Sequence, residues 1–426
     1  MTYIEELSMS KGEVLMKKLI LILLTLSLLL GVTACSKDDT KEYNLSEKNW
    51  DTILEEARGT TVNFYGYGGD QKTNSWIDGY IANKLKEEYD ITINRVGINI
   101  DEILNSLLNE KQLNVQNGKI DVVWINGENF FTAKENNLLF GPFTDKLPNF
   151  NKYIDKNSVE VKYDFGYPVE GLEAPFGKAQ FVMIYDSAKV DNVPSNHQEL
   201  QKFAKNNPGK FTYPAPPDFT GSAFVRNIIY DIVGHEQFMD MEADEEIVRE
   251  AIRPAIDYLI ELKPYLWKEG NTYPAESGLL NNMYSDNEVI MTMSYNPNSA
   301  SGKIETGEFP NTSKTFIFEK GTIGNTHFLA IPYNASNKSG ALAVIDYILS
   351  VDAQASKYVP KTWGDLPVLD NNKLNDEEKE VFNSIELGEA TLPQDVLLNH
   401  RVPEMPADLV PIIEKIWMET VPEKDE

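Results

Sequence analysis

The chain has 426 residues, with 66 Asp and Glu against 39 Lys and Arg, for a formal net charge of −27. So acidic a body is repelled by phosphate backbones and anionic lipid, which excludes nucleic acid and charge-driven membrane adsorption. A single cysteine excludes an internal disulfide, and 42% hydrophobic with 11% aromatic residues is the make-up of an ordinary globular chain.

In chain order, the first feature is a basic pair, Lys17 and Lys18, ahead of an apolar run over residues 19–30 that only Thr25 and Ser27 interrupt. The run falls short of the ~20 residues a spanning helix needs and has the length and flanks of a signal-peptide core. Gly31, Val32, Thr33 and Ala34 then lead into Cys35. The pattern resembles a bacterial lipobox, in which the cysteine receives diacylglycerol and becomes the new N-terminus. An ordinary signal peptide or an uncleaved anchor is the competing reading. Glu5, Glu6 and Glu13 precede the basic pair, and Met16 is the more natural start. Residues 1–15 are therefore expected to be an over-extended gene start, 16–34 a lipoprotein signal peptide, and 35–44 a lipidated Cys35 with a flexible tether. This places the body at the outer face of a bacterial cell membrane.

The remainder is too long for one compact core, so the length alone predicts two lobes. Ser46 is positioned to cap a helix with the stripe Trp50, Ile53, Leu54 and Ala57. Strands are predicted over 61–65, 91–96 and 120–125, with helices between them at 76–85 and 101–113. This βαβαβ order predicts a parallel sheet, whose ligands lie beyond the carboxyl ends of the strands. Loops 65–70 and 126–129 sit at those ends.

A second lobe follows, with strands over 180–185, 289–295 and 315–319 and helices over 197–205 and 247–266. Residues 326–331 return the chain to the first lobe, helices 340–349 and 353–358 cover it, and a helix over 409–418 closes the chain. Lobe one is thus expected over 45–180 and 326–375, lobe two over 181–325, and C-terminal helices over 376–426 that pack on the lobes. A first lobe interrupted by a second is the plan of a hinged clamp that closes on a ligand.

Seven stretches carry a family resemblance: TVNFYGYGGD, KIDVVWINGENF, GKAQFVMIYDSAKV, GKFTYPAPPDFTGSAFVR, VIMTMSYNP, GTIGNTHFLAIPYNASNKSGA and WGDLPVLD. In this order they resemble the extracellular solute-binding proteins of bacterial ABC transporters, in particular the YnjB-type branch. The resemblance implies an α/β, type II periplasmic-binding-protein-like clamp, each lobe a mostly parallel sheet flanked by helices, with a hinge between them. It also implies a small-molecule solute (thiamine-like in that branch), a partner permease and ATPase, no catalysis and no cofactor. A monomer is expected.

Side chains in the loops suggest the site. Tyr67, Gly68 and Asp70 lie in loop 65–70. Asn126, Glu128 and Asn129 follow the third strand, where they either orient a polar ligand or cap a turn. Asp218, Phe219, Thr220, Gly221 and Ser222 open a helix after the rigid pair Pro216–Pro217. The helix N-terminus suits an anion and Asp218 a cation or donor, while capping by Asp218 or Thr220 is the bland alternative. Tyr295, Asn296 and Asn298 follow a strand expected to run to the cleft. Tyr185 and Trp363, with Tyr67, offer aromatic walls for a planar or cationic ligand, although in a chain with 45 aromatic residues most pack in a core.

Other signals fail. Gly66, Gly68 and Gly69 lack the third glycine and acidic partner of a dinucleotide fingerprint. Asp240, Glu242 and Asp244 imitate a calcium loop, but Glu245 stands where glycine is required. The four histidines are scattered, so no metal site is expected. No nucleophile motif appears. An anchored extracellular hydrolase, which would need two matched carboxylates in one cleft, and a solute-sensing lipoprotein are the alternative functions.

Overall fold

The structure, a computed structural model, describes residues 43–422. The expected over-extended start, the signal peptide and Cys35 lie outside the described residues. The chain divides into Met1–Glu47, whose described residues hold the short turn Leu45–Glu47, and one compact body, Lys48–Glu426.

The body begins with α1 (Trp50–Ala57). Its N-cap is Asn49, whose side chain accepts from the Thr52 N–H; Ser46 lies in the preceding turn, too far upstream to cap it. Strands β1 (Thr61–Gly66), β2 (Thr92–Gly97) and β3 (Val122–Ile125) form the parallel set β2-β1-β3. Helices α2 (Ile100–Gln112) and α3 (Gly127–Glu135) flank this set. Ile103 and Leu107 of α2 pack with Val123 and with Phe130 of α3 in one apolar cluster.

Strand β4 (Glu173–Gln180) then runs through Phe181 directly into β5 (Val182–Asp186), so one extended segment serves two sheets. The intervening region carries α4 (Phe219–Val233), α5 (Glu245–Leu262), β6 (Met291–Ser294), α6 (Ser299–Glu305) and β7 (Ser313–Phe316). Strand β8 (Thr322–Ala330) returns to the first sheet, antiparallel to β3 and to β4. After α7 (Lys338–Ile348) and α8 (Val351–Tyr358), the two-residue strand β9 (Arg401–Val402) pairs parallel with the start of β8. Helix α9 (Val410–Thr420) follows.

The α/β class and two main sheets agree with expectation, beside a small hairpin of Tyr163–Asp164 with Tyr167–Pro168. The expectation of parallel strands in both lobes is corrected. The first sheet is mixed, and the second, β6-β5-β7, is antiparallel throughout. The cause is the crossing itself. β5 leaves the first sheet and runs outward, whereas β6 and β7 run back toward the crossing. The β4 strand was also not anticipated, because Pro175 and Gly177 break its β-propensity. Burial on nearly all its residues compensates.

Helix α4 is buried along almost its whole length. It packs with α5 and α9, and Phe224, Leu259 and Trp417 share one core. Each such side chain contributes roughly 1.5–3 kcal/mol by leaving water.

Candidate functional site

Loop 65–70 is held by close backbone approach. A Cβ on Gly68 would lie 2.9 Å from the Gly97 Cα, so only glycine fits there. The Asn74 Nδ2 donates to the Gly68 carbonyl at 2.8 Å. Asp70 caps the short helix Gln71–Ser75, accepting from the N–H groups of Lys72 and Thr73. Tyr67 is half exposed. Burial, and then the carboxylates of Glu276, Asp218 and Asp70, push its phenol up, so this loop faces the start of α4. The Lys72 ammonium reaches the Pro360 carbonyl at 2.9 Å and lies against Gly302 of α6.

The 126–129 segment is the first turn of α3. Gly127 has φ +59°, and its N–H donates to the Asp164 Oδ2 at 2.6 Å; Phe165 closes over it. Asn126 makes no side-chain cap, while its carbonyl accepts from the Asn129 and Phe130 N–H groups. Asn129 donates to the Glu128 Oε1 at 3.3 Å. Burial raises the Glu128 carboxyl despite the opposing charge of Arg226.

On α4, Asp218 is a cap. Its Oδ1 accepts from the Gly221 N–H at 2.8 Å and its Oδ2 from the Ser277 N–H at 3.1 Å. The positive end of the helix is therefore already neutralised by its own carboxylate, which disfavours an anionic ligand there. Thr220 and Gly221 are buried, with Gly221 pressed on the Pro214 carbonyl. Ser222 donates to the Glu414 Oε1 at 2.6 Å and accepts from the Arg226 Nη1 at 2.6 Å. Arg226 is 1% exposed. It pairs with Glu404 at 2.7 Å and lies 3.5 Å from the Tyr295 hydroxyl, which itself donates to Glu404 at 2.9 Å. The Phe219 ring faces both Tyr295, at 4.9 Å between centroids, and Phe165, at 6.5 Å.

These contacts draw the start of α3, the start of α4 and the C-terminal segment into one cluster. Glu128 acts electrostatically on Arg226, Glu404 and Glu414. Carboxyls Glu128, Glu404 and Glu414 act on the Arg226 guanidinium, and Asp164, bonded to the Gly127 N–H, acts on Glu128 and Glu404. Burial raises all four, with Asp164 well above the carboxylate range and Glu414 at about 7.

Not every residue named from sequence belongs to the cluster. Asn296 donates to the Trp363 carbonyl at 3.0 Å and Asn298 to the Gly364 carbonyl at 2.7 Å, so both brace a backbone. Trp363 is buried among Trp76, Trp124, Phe176 and His327 as core. Tyr185 pairs with Met291 at the outer end of β5, against Phe316, away from Tyr295 at the crossing. Arg226, Glu404 and Glu414 were missed by sequence reasoning. Their partners are far apart in the chain, and the one local signal that could have found any of them is Arg226 as a charge inside the apolar pattern of α4. A separate cavity of about 350 Å³, lined by Phe150, Tyr163, Val169 and Glu173, holds none of the residues named from sequence.

The raised carboxyls have a measurable consequence. Asp346 and Glu414 are lifted by burial from ordinary values of 3.8 and 4.5 to about 7. Between those limits the folded state holds protons that the unfolded chain has released. Their contribution is thus full at low pH and is lost as pH rises to about 7, on the order of 3–4 kcal/mol per group. Urea unfolding of the ligand-free protein is expected to show lower stability at pH 8 than at pH 5.5. A profile rising over that interval would contradict this.

Residues 80–381 match the family of bacterial extracellular solute-binding proteins. Over 372 residues the chain is 35% identical to the protein YnjB of Escherichia coli K12, spanning 87% of this chain and 93% of that protein. A solved ABC transporter structure from Clostridium perfringens ATCC 13124 matches with a TM-score of 0.59 at 19% identity, over 84% of this chain and 98% of that one. The spermidine/putrescine substrate-binding protein PotD of Streptococcus pneumoniae also gives a TM-score of 0.59, at 14% identity over 85% of this chain and 98% of its own. At such identities the likeness to solved structures is one of fold, the two-lobed type II periplasmic-binding-protein fold.

Proposed function

The chain belongs to the family of bacterial extracellular solute-binding proteins, and from that premise we propose that it captures an organic cation between two lobes and delivers it to an ABC importer. The family serves transport and not catalysis, which sets the hydrolase reading aside. In this reading lobe one comprises residues 45–180 and 326–375, lobe two 181–325, and the hinge lies where β4 passes into β5 and β7 returns to β8. Residues 376–426 pack on the lobes. Lipid on Cys35 holds the protein at the outer membrane face, and a permease with its ATPase receives the solute.

The observation that carries the cation is the excess of buried carboxyls over Arg226. A cation entering beside Glu128 and Glu414 meets carboxyls that burial raises and that Arg226, paired with Glu404, does not fully balance. Asp218, which occupies its own helix end, removes the competing anion site. Phe165, Phe219 and Tyr295 add aromatic faces, each of which contributes ~0.5–2 kcal/mol to a desolvated cation. Thiamine, an aromatic cation, fits this chemistry and is the leading candidate. Spermidine and putrescine, named for the Streptococcus protein, are the runners-up. Docking begins on loops 65–70 and 126–129, and lobe two then closes with the start of α4 and Tyr295.

The test is a thermal-shift panel of thiamine, thiamine phosphates, polyamines, amino acids, sugars and oxyanions. A ligand at 100 times its dissociation constant should stabilise the fold by about 2.7 kcal/mol. The expected result is stabilisation by one class of organic cation, accompanied by compaction in small-angle scattering. Stabilisation by sugars or oxyanions alone, or binding without compaction, would sink the proposal.

A further inference from the structure

Residues 401–404 join the two places on which capture depends. At one end, Arg401 lies across strands β4 and β8 where the chain leaves the first sheet for the second. Its Nη1 donates to the Ala179 carbonyl and its Nη2 to the Asn325 carbonyl, each at 3.0 Å. These two residues are themselves cross-strand partners. The Arg401 Nε meets Glu160 at 2.7 Å, and Glu160 meets Lys178 of β4 at 2.8 Å. The stem covers Gly324, where a Cβ would come within 2.5 Å of the guanidinium carbon. Gln180, the last residue of β4, donates to the carbonyls of Leu397 and His400. The Thr322 N–H donates to His400 as well.

At the other end, three residues on, Glu404 accepts from Arg226 of α4 and from Tyr295 just beyond β6. Three residues span at most ~10 Å when extended, so the strap has little slack. Pro403 stiffens it further by fixing φ.

We infer that this strap makes Arg401 a positioning residue for solute capture. It ties the place of the Arg226–Glu404 pair, on which Glu128 acts electrostatically, to the geometry of the crossing strands. Rotation of the lobes twists β4 and β8, Arg401 follows the two carbonyls it holds, and Glu404 carries Arg226 with it. The charge balance around the solute therefore changes with the hinge angle. The role in capture rests on the cleft reading given above, whereas the mechanical link can be measured with no solute present.

Hydrogen exchange on the ligand-free protein tests the link. Arg401→Met is expected to speed exchange at least tenfold over residues 179–182 and 322–325, where the Gln180 N–H bonds to Tyr295 and the Phe181 N–H to Ile323. It should also speed exchange around Arg226, with β1 and β2 unchanged. Arg401→Lys keeps the charge but loses the two-carbonyl fork and should fall between. Glu404→Gln should loosen α4 and the Tyr295 segment, with residues 322–325 unchanged. Acceleration at the crossing without any change around Arg226 overturns the inference, as does no change at either place. If Arg401→Met accelerates exchange everywhere, the Lys variant decides, since its effect must still be confined to the two places. Thiamine then serves as the probe for capture, with about tenfold weaker binding expected for Arg401→Met. Failure of thiamine to bind the wild type would count against the cation reading while leaving the exchange result standing.

Discussion

Replacing Arg226 with methionine is expected to lower the stability of the fold by about 3–5 kcal/mol, the usual effect of removing one member of a buried ion pair. Arg226 has no access to water and is bonded to Glu404 and Ser222. Without it, Glu404 becomes a fully buried charge with only the Tyr295 hydroxyl to compensate, and Glu414 loses the attraction transmitted past Ser222. The double variant Arg226→Met with Glu404→Gln should recover most of the loss, because a buried pair as a whole contributes little net stability. Urea unfolding at neutral pH measures both. The single variant should suffer less at pH 5 than at pH 8, since a protonated Glu404 carries no charge to desolvate. A single variant within 1 kcal/mol of wild type at pH 8 would mean that Glu404 is effectively solvated and the cluster is not the closed electrostatic unit described here.

The second large effect concerns binding. Glu128→Gln is expected to weaken capture of the cation about 10- to 100-fold, or about 1.4–2.7 kcal/mol, while leaving the melting temperature of the ligand-free protein unchanged or higher. Glu128 has one weak side-chain partner, Asn129, and burial raises its carboxyl. It is therefore a liability to the empty protein and an asset only when a positive charge arrives, the trade expected of a binding group. Titration calorimetry with the cation found in the panel, beside a thermal melt, separates the two quantities. Undiminished affinity would move the solute away from Glu128, and a lower melting temperature would make the residue structural. Wild-type affinity should also rise with pH from 5 to 8, as protons leave Glu128 and Glu414 more readily.

Much of the first sheet was legible because its signals are local. Alternation along β1, the stripe of α2 and the placement of α3 after β3 each follow from a few neighbouring residues. The direction of the second sheet was not legible, because it depends on β5 continuing straight out of β4. Asp218 illustrates a different limit. A carboxylate ahead of a helix caps it or binds a ligand with the same residue type, and only the two N–H groups aimed at its oxygens decide. Trp363 read as a loop aromatic and is core, since the Lys357–Asp365 pair folds its segment inward. The charges of the cluster escaped for a plainer reason: Arg226 and Glu404 are 178 positions apart, and no spacing rule reaches that far.

The place of β8 between β3 and β4 has a consequence in time. As the polypeptide is synthesised, β3 has to wait for a partner made roughly 200 residues later, and the crossing is not tied until Arg401 emerges. Such long-range pairing is slow to form. The N-terminal half of the nascent chain therefore has no finished sheet to settle into until the returning strand and the arginine that ties it have been made.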